Sequence, residues 1–276
     1  MEASQRVPAS VGILTLNCAD VLPRALKSVE RFEDKFICDG NSTDGTQDIA
    51  RQHGARIVKQ VETDEPNQRI TDFGKARTKC VNAALKDWYF RLDSDEYLSP
   101  EAVDEIGRIV SDPNPQFRVY KIPRKYVWRG KVIDDTITYP NRQIRLFRRD
   151  AVDGYTKMTH ERAVVHEHEP IGFMKGVMFV PLEDSAAEFD SYRMDRALDW
   201  DRRQYEHSMT LRRWLFALMH TAATLLLFSA RLLRVRLISR GNKLPIDFEL
   251  WRFKYLIRTM TLATRVMVVR VFSWPY

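Results

Sequence analysis

Two aspartates, Asp93 and Asp95, are separated by one residue and follow closely after an aromatic run, Trp88–Phe90. The run has the composition of a buried strand, and side chains alternate along a strand, so both carboxylates point to the same side. Two like charges held this close are unfavourable unless a cation lies between them, and a divalent hard cation takes oxygen ligands of this kind. The alternative is a strand-end turn whose acids are solvated, and this stretch alone leaves both interpretations open.

The chain before this stretch alternates between apolar runs and amphipathic segments. We predict strands at 11–16, 35–38, 55–61 and 88–92, and helices at about 20–29, 46–53, 75–86 and 100–111. This order is typical of an α/β fold with a Rossmann-like, mostly parallel sheet covered by helices on both faces. Ligands of such sheets bind outside the carboxyl ends of the strands. Asn17, Asp39 and Asp93 each follow a predicted strand, so we expect them to line one crevice.

Four short motifs, in this order and spacing, resemble the family 2 glycosyltransferases, which have the GT-A nucleotide-diphospho-sugar transferase fold. The motifs are Thr15-x-Asn17, Asp39-Gly40-Asn41-Ser42-Thr43-Asp44-Gly45-Thr46, Gly74-Lys75-Ala76-Arg77 and Asp93-Ser94-Asp95. The resemblance covers residues 10 to 185. A subgroup around lipopolysaccharide-core β-glucosyltransferases is similar in two later motifs, Pro140-Asn141-Arg142-x-x-Arg145-Leu146-Phe147-Arg148-Arg149 and Thr159-His160-Glu161.

The resemblance implies a binding site for a nucleotide-diphospho-sugar donor. Its residues are Thr15, Asn17, Asp39, Arg77, Asp93 and Ser94. Asp39 is implied to hydrogen-bond the base, the Thr15–Asn17 loop to line the base and ribose, and Arg77 to approach the diphosphate, where a guanidinium can bind two phosphate oxygens at once.

Two positions depart from the family pattern. Many relatives have a second acid where this chain has Gly40, and Thr78 stands where an Asn often follows the arginine.

The same resemblance implies a divalent metal cofactor, Mg²⁺ or Mn²⁺, bound through the donor diphosphate. Asp95 is the predicted direct ligand, and Asp93 serves the ribose or the metal. His160 is a candidate third ligand, with a solvated or acceptor-binding histidine as the alternative. A metal ion stabilises the negative charge of a departing nucleotide without proton transfer.

An inverting transfer also needs a base that accepts the proton of the acceptor hydroxyl. Glu161, which follows His160, is the first candidate, and Glu183 with Asp184 is the rival pair. The alternative interpretation of Glu161 is a surface acid at a strand end. For Glu183 and Asp184 it is a helix cap ahead of Ser185.

Charge divides the chain into two parts. It has 276 residues, 44% of them hydrophobic, and a net charge of +7. Residues 203–276 carry 13 basic and 3 acidic side chains, whereas residues 1–202 carry 31 and 34. We therefore predict a GT-A catalytic domain at 1–202 and a basic amphipathic helical extension at 203–276. Within the catalytic domain, about 10–112 form the nucleotide-sugar half and 113–202 the acceptor half.

The extension has the pattern of a membrane-surface segment. Trp214–Ala230 contains no charge. The polar residues near it fall on one narrow stripe of a helical wheel: Arg213, His220, Thr224 and Arg231. A wide apolar face beside such a stripe favours a helix that lies in the membrane interface, with the following arginines on anionic headgroups. The alternatives are a helical cap on the catalytic domain or a dimer interface, which would make the protein a homo-oligomer.

The remaining features concern the compartment and the partners. Three cysteines, Cys18, Cys38 and Cys80, have no metal-type spacing and indicate a reducing compartment. The first residues lack the apolar core of a secretion signal, so we predict a cytoplasmic protein, peripheral at the inner face of the cell membrane. Arginines interleaved with Leu, Val and Met disfavour nucleic-acid binding.

The predicted function is that of an inverting, metal-dependent glycosyltransferase. It would move a sugar from a nucleotide-diphosphate donor to a glycolipid or polyprenyl-linked acceptor in lipopolysaccharide or cell-envelope glycan assembly. One alternative is a sugar nucleotidyltransferase, which would need a Gly-rich phosphate loop after the first strand, where this chain has Asn17–Asp20. The other is a membrane-associated binding or scaffold protein that has the fold but no turnover.

Overall fold

The computed structural model describes residues 5–156, 162–182 and 185–272. The chain forms two compact units, the first made of Met1–Lys125 and Pro140–Pro181 and the second of Tyr126–Tyr139 and Leu182–Tyr276. The strands are β1 (Val7–Thr15), β2 (Phe32–Asp39), β3 (Arg56–Lys59), β4 (Trp88–Asp93), β5 (Tyr97–Leu98), β6 (Val119–Ile122), β7 (Arg124–Trp128), β8 (Lys131–Val132), β9 (Gln143–Arg148), β10 (Val152–Thr156), β11 (Arg162–Val165), β12 (Ile171–Phe173) and β13 (Met178–Pro181). The helices are α1 (Leu22–Ser28), α2 (Thr46–Gln52), α3 (Phe73–Ala83), α4 (Pro100–Ser111), α5 (Ala186–Ser208), α6 (Leu211–Leu233) and α7 (Ile246–Phe272), with a 3₁₀ turn at Arg149–Ala151 and a π-helical turn at Arg234–Ile238.

The first unit is built on a seven-stranded sheet of order β12-β6-β9-β4-β1-β2-β3. The neighbours among β1 to β4 are parallel, as are β12 and β6, whereas β9 runs antiparallel to both β4 and β6. Two small antiparallel pairs, β5 with β13 and β10 with β11, complete this unit. The mainly parallel sheet and the helical C-terminal region confirm the predicted fold class.

Each face of the sheet is covered by its own apolar layer, because side chains alternate along the strands. On one face Phe90 of β4 shares a buried cluster with Leu26 of α1 and Ile106 of α4. On the other face Tyr89 of β4 belongs to a cluster with Cys80 of α3. With both faces buried, polar side chains collect at the edge where the strands end.

Capping residues set the helices that flank this edge. α4 begins at Pro100, as predicted, because the Ser99 hydroxyl accepts a hydrogen bond from the Ala102 amide at 3.2 Å. α3 begins at Phe73, two residues before the predicted start, because the Asp72 carboxylate accepts from the Lys75 amide at 2.9 Å. This cap fixes the first turns of the helix that carries Arg77.

The second unit combines the β7–β8 hairpin with the three long helices. Its buried core is the cluster Ile133, Met194, Leu244, Phe248 and Trp251. Within the described residues, one helical segment, Leu211–Ile238, is long and apolar enough to cross a membrane by length and composition, with a mean hydropathy of 1.5. The functional division predicted at residue 202 stays a prediction, since compactness does not say which segment binds substrates.

Candidate active site

The carboxyl ends of β1, β2 and β4 lie side by side at one edge of the sheet. Thr15 is paired with Asp39 across β1 and β2, and Leu14 with Asp93 across β1 and β4. Three of the predicted donor-site residues, Thr15, Asp39 and Asp93, therefore meet at this edge, as the geometry of parallel strands requires.

Asp39 is buried, with 1% of its surface exposed, and its carboxylate is fully hydrogen-bonded. Oδ1 accepts from the Thr15 hydroxyl at 2.8 Å and from the Ser42 hydroxyl at 2.6 Å. Oδ2 accepts from the Ser42 amide and from Nε2 of Gln47, both at 2.8 Å. These four donors fill the acceptor capacity of a carboxylate. Asp39 thus fixes the loop after β2. Its contact with a nucleotide base stays a prediction, and a hydrogen-bond donor of the base would have to displace one of these four protein donors.

Three asparagines join the loops around this point. Asn17 donates from Nδ2 to Oδ1 of Asn67 at 2.8 Å and accepts from the Thr43 amide at 2.9 Å. Asn17, Asn41 and Asn67 all have left-handed backbone, with φ of 46°, 58° and 56°, a conformation that asparagine tolerates better than most residues. Of the three, Asn41 lines a cleft of about 270 Å³. Its lining residues are Asn41, Ser42, Thr43, Gln47, Asp64 and Pro66.

Asp93 is held between two arginines. Arg77 of α3 donates from Nη2 to Oδ1, and Arg145 of β9 donates from Nη2 to Oδ2 at 3.0 Å. Burial by itself raises the pKa of the Asp93 carboxyl, but the charges of Arg145, Arg77 and Arg91 outweigh burial and hold the pKa well below its usual range. Asp93 is therefore ionised at neutral pH.

Glu96 shares Arg145 with Asp93. It is 3% exposed, and its Oε1 accepts from Nη2 of Arg145 at 2.9 Å, with Nη1 of Arg124 at 3.6 Å. Burial raises the pKa of Glu96 to about 7. The charge of Arg145 lowers this pKa, but the negative charge of Asp93 raises it and so offsets much of the effect of Arg145. Arg145 itself is 1% exposed, and neither its Nε nor its Nη1 has a hydrogen-bond partner in the described part of the chain.

The strand-end cluster holds more positive than negative charge. Its arginines are Arg77, Arg91, Arg124 and Arg145, and its acids are Asp93, Asp95 and Glu96. In a partly buried site such an excess of guanidinium groups favours a bound anion. The sequence alone assigned no role to Arg145, Arg124 or Glu96. The signal for Arg145 was an arginine inside the otherwise apolar run Ile144–Phe147.

Asp95 and Ser94 lie just beyond the end of β4, the first exposed and the second half-buried. An exposed carboxylate beside a diphosphate fits the way proteins bind Mg²⁺, through one or two carboxylates and phosphate oxygens. Asp93 fits less well because both of its oxygens already accept from arginines. In the described segments no group of three or more His, Cys, Asp or Glu side chains could hold a metal ion by itself. Asp95 is thus the described residue that would hold such an ion together with donor phosphates.

Four predicted site residues lie outside the described residues: His160, Glu161, Glu183 and Asp184. The third metal ligand, and the choice between Glu161 and the Glu183–Asp184 pair as base, therefore stay predictions.

Residues 10–166 match the sequence model described as "Glycosyl transferase family 2". An uncharacterized glycosyltransferase of Rickettsia typhi, RT0209, is 32% identical over 142 residues, which are 51% of this chain and 46% of that protein. An uncharacterized glycosyltransferase of Rickettsia felis is 36% identical over 115 residues, 41% of this chain and 38% of that protein. The alignments thus span less than half of the length of these relatives. Among solved structures, S. aureus TarS 1–349 in complex with UDP-GlcNAc is 14% identical, with 94% of this chain and 91% of that chain covered and a TM-score of 0.49.

Proposed function

Because this chain belongs to glycosyl transferase family 2, we propose that it transfers a sugar, with inversion, from a nucleotide-diphosphate donor to a glycolipid or polyprenyl-linked acceptor. The observation that carries the proposal is the buried arginine cluster at the carboxyl ends of the central strands. Arg77 and Arg145 are almost fully buried there, and each donates to Asp93. A cluster with surplus positive charge at this edge is suited to a diphosphate, the group that leaves with the nucleotide.

The residues of the chain have distinct roles in this scheme. The guanidinium groups of Arg77 and Arg145 stabilise the negative charge that develops on the departing diphosphate, and because they are already oriented by Asp93 they need no rearrangement during the reaction. Asp95 anchors the donor phosphates through Mg²⁺ or Mn²⁺, which when bound supplies further positive charge to the leaving group. The base is Glu161 or, alternatively, one of the pair Glu183 and Asp184, which would accept the proton of the acceptor hydroxyl.

The acceptor and the location are further parts of the proposal. The later motif around Arg145 is similar to the lipopolysaccharide-core β-glucosyltransferase subgroup, which suggests an acceptor in cell-envelope glycan assembly. An enzyme with a lipid-linked acceptor must act at a membrane surface. The basic segment 203–276 is suited to the anionic inner face of the cell membrane. Self-association is the alternative use of that segment.

The test is donor binding and turnover by the full chain. Thermal melting with a panel of nucleotide sugars and Mn²⁺ should reveal the donor as the compound that raises the melting temperature. Asp95→Asn should then remove the Mn²⁺ dependence and slow release of the nucleoside diphosphate by about 10²-fold or more. Asp104→Asn, an exposed aspartate of α4 paired with Arg31, is the matched control and should behave like the wild type.

Three results would contradict the proposal. Unchanged metal dependence in Asp95→Asn would remove the metal assignment. Release of pyrophosphate rather than a nucleoside diphosphate would identify a nucleotidyltransferase. Donor binding without any turnover, in the presence of lipid-linked acceptors, would identify a binding or scaffold protein.

A further inference from the structure

The outward side of α6 is apolar over the whole length of the helix. We define the outer face of α6 by its exposed large side chains, which are Leu211, Leu215, Phe216, Met219, Leu226, Leu227 and Leu233. Within Leu211–Ile238, only 6% of the most apolar stretch of 18 residues is buried. The hydroxyls of Thr224 and Ser229 donate to carbonyl oxygens of their own helix, at 2.7 and 2.9 Å. These two hydroxyls on α6 are thus hydrogen-bonded within the helix and do not need water as an acceptor.

The opposite side of α6 packs against α7. Near the start of α6, Nε1 of Trp214 donates to the Thr264 hydroxyl at 3.3 Å. Near its end, the rings of Phe228 and Phe253 lie 6.3 Å apart. Because these contacts pair the start of α6 with the later part of α7, the two helices run antiparallel over most of their length. This packing buries Thr221 and leaves the outer face unpartnered.

Basic residues lie at both ends of the outer face. Between Glu206 and Asp247 the chain has no acidic residue. The basic residues in this interval are Arg212, Arg213, Arg231, Arg234, Arg236, Arg240 and Lys243. Asp135 pairs with Arg234 at 2.7 Å, which offsets one of these charges. Arg212 and Arg213 before the face and Arg240 after it are exposed, and they give the outer face a cationic border at each end.

This charge pattern disfavours a second copy of the chain as the partner. If two copies associated through their outer faces with the α6 helices parallel, Arg212 of one copy would lie near Arg212 of the other. If the helices were antiparallel, Arg212 of one copy would lie near Arg231 of the other. Both arrangements place like charges together, whereas an anionic lipid surface offers apolar chains for the face and phosphates for its border.

The packing on α7 also disfavours a helix that crosses the membrane. The exposed side of α7 carries Lys254, Arg258 and Arg265. Since α7 packs along α6, a spanning α6 would draw these cations into the hydrocarbon, where charged side chains are strongly unfavourable. With α6 in the plane of the interface, the same cations stay in water or among headgroups.

We propose that the outer face of α6 lies in the plane of an anionic membrane surface, with its apolar side chains among the acyl chains and Arg212, Arg213 and Arg240 on the headgroup phosphates. This identifies the surface that the proposed membrane location requires, and it rests on that location. Helices of this kind bury one apolar face at the headgroup boundary and gain affinity from anionic lipid.

Vesicle flotation of the full chain tests the proposal. The wild type should float with an equal mixture of phosphatidylcholine and phosphatidylglycerol, and at least about tenfold less with phosphatidylcholine alone. The double variant Met219→Gln, Leu226→Gln removes two exposed side chains and should lower binding to the mixed vesicles roughly tenfold or more. Glutamine is a good helix former, so the helix itself should be preserved.

A control comes from α7, where Ile257 and Val268 are 50% and 47% exposed, against 73% for both Met219 and Leu226 on α6. Ile257→Gln with Val268→Gln should leave flotation near the wild-type value. Equal flotation of the α6 variant and the wild type would overturn the proposal. So would retention of the wild type on vesicles after an alkaline carbonate wash, which would indicate a spanning helix, or a wild-type dimer that the α6 variant dissociates.

Melting shifts with nucleoside diphosphates, measured without vesicles, separate this proposal from the proposed function. Both variants change exposed residues far along the chain from the strand-end cluster, so both should keep the wild-type shift. A normal shift without flotation would overturn the membrane surface alone, and flotation without any nucleotide shift would overturn the donor site alone.

Discussion

Arg145 is a long cationic side chain with 1% of its surface exposed, and it contacts two carboxylates. Removing a guanidinium from water is unfavourable, and the ion pairs with Asp93 and Glu96 offset that loss only while both are in place. The two acids respond differently, because Asp93 also accepts a hydrogen bond from Arg77, whereas the further cation beside Glu96, Arg124, lies 3.6 Å away. The pKa of Asp93 is therefore lowered and that of Glu96 is raised.

Loss of Arg145 should destabilise the protein strongly. Arg145→Met leaves the buried carboxylate of Glu96 and the half-buried carboxylate of Asp93 short of a partner, and we expect the free energy of unfolding in urea to fall by about 3–5 kcal/mol. Arg148→Met is the control on the same strand, because that side chain is 32% exposed and pairs with the exposed Asp150. Its cost should stay within about 1 kcal/mol. Equal losses in the two variants would show that Arg145 is not an electrostatic anchor.

Glu96 should make stability depend on pH near neutrality. Its pKa is about 7 in the folded protein against 4.5 for an ordinary glutamate, so between these values the folded state binds more protons than the unfolded chain. Stability from this group is complete below pH 4.5 and is lost as the pH rises through about 7. The corresponding change is up to about 3 kcal/mol.

Urea unfolding at pH 5 and pH 8 measures this effect as the difference between the wild type and Glu96→Gln. The wild type should lose more stability than the variant between these pH values. Contributions from other groups, such as the buried Glu249 with its raised pKa, are common to both proteins and cancel. Identical pH profiles would mean that Glu96 titrates normally.

At the scale of elements, the two departures from the family pattern have structural explanations. A side chain at Gly40 would place its Cβ 2.4 Å from the carbonyl oxygen of Gln68, whose amide donates to the Gly40 carbonyl at 2.7 Å. The loop before α3 therefore approaches the end of β2 too closely for a second acid. Thr78 donates its hydroxyl hydrogen to the Gly74 carbonyl and accepts from the Tyr155 amide at 3.0 Å, so it ties α3 to β10.

Gly40→Ala tests the close approach of these loops. The added Cβ meets backbone that cannot move as a side chain does, so we expect a loss of about 1–3 kcal/mol in the free energy of unfolding, together with weaker donor binding. Gly107→Ala in α4 is the control, since its Cβ would meet only Val7 at 3.7 Å. That change should stabilise the helix by up to about 1 kcal/mol. A neutral Gly40→Ala would mean that the loop before α3 yields easily.

At the scale of the whole molecule, the two units differ in what they expose. The first unit buries a sheet on both faces and gathers its charges at the strand ends, where Arg77, Arg91 and Arg145 are all buried. The second unit has a small apolar core and leaves large apolar side chains on α6 in contact with solvent. The buried charges of the first unit match its proposed role in donor binding. The exposed apolar surface of the second unit matches its proposed role at the membrane.

The sequence by itself determined the α/β class, the strands whose predicted ends lie within one residue of Thr15, Asp39 and Asp93, and the helical nature of the last part of the chain. These follow from local patterns, because apolar runs, caps and breakers act over a few residues, and parallel strands necessarily end at one edge. Only the tertiary structure decided that Asp93 receives Arg145 from a strand 52 residues later. It also decided that α6 turns its apolar side outward, since both depend on which distant elements pack together.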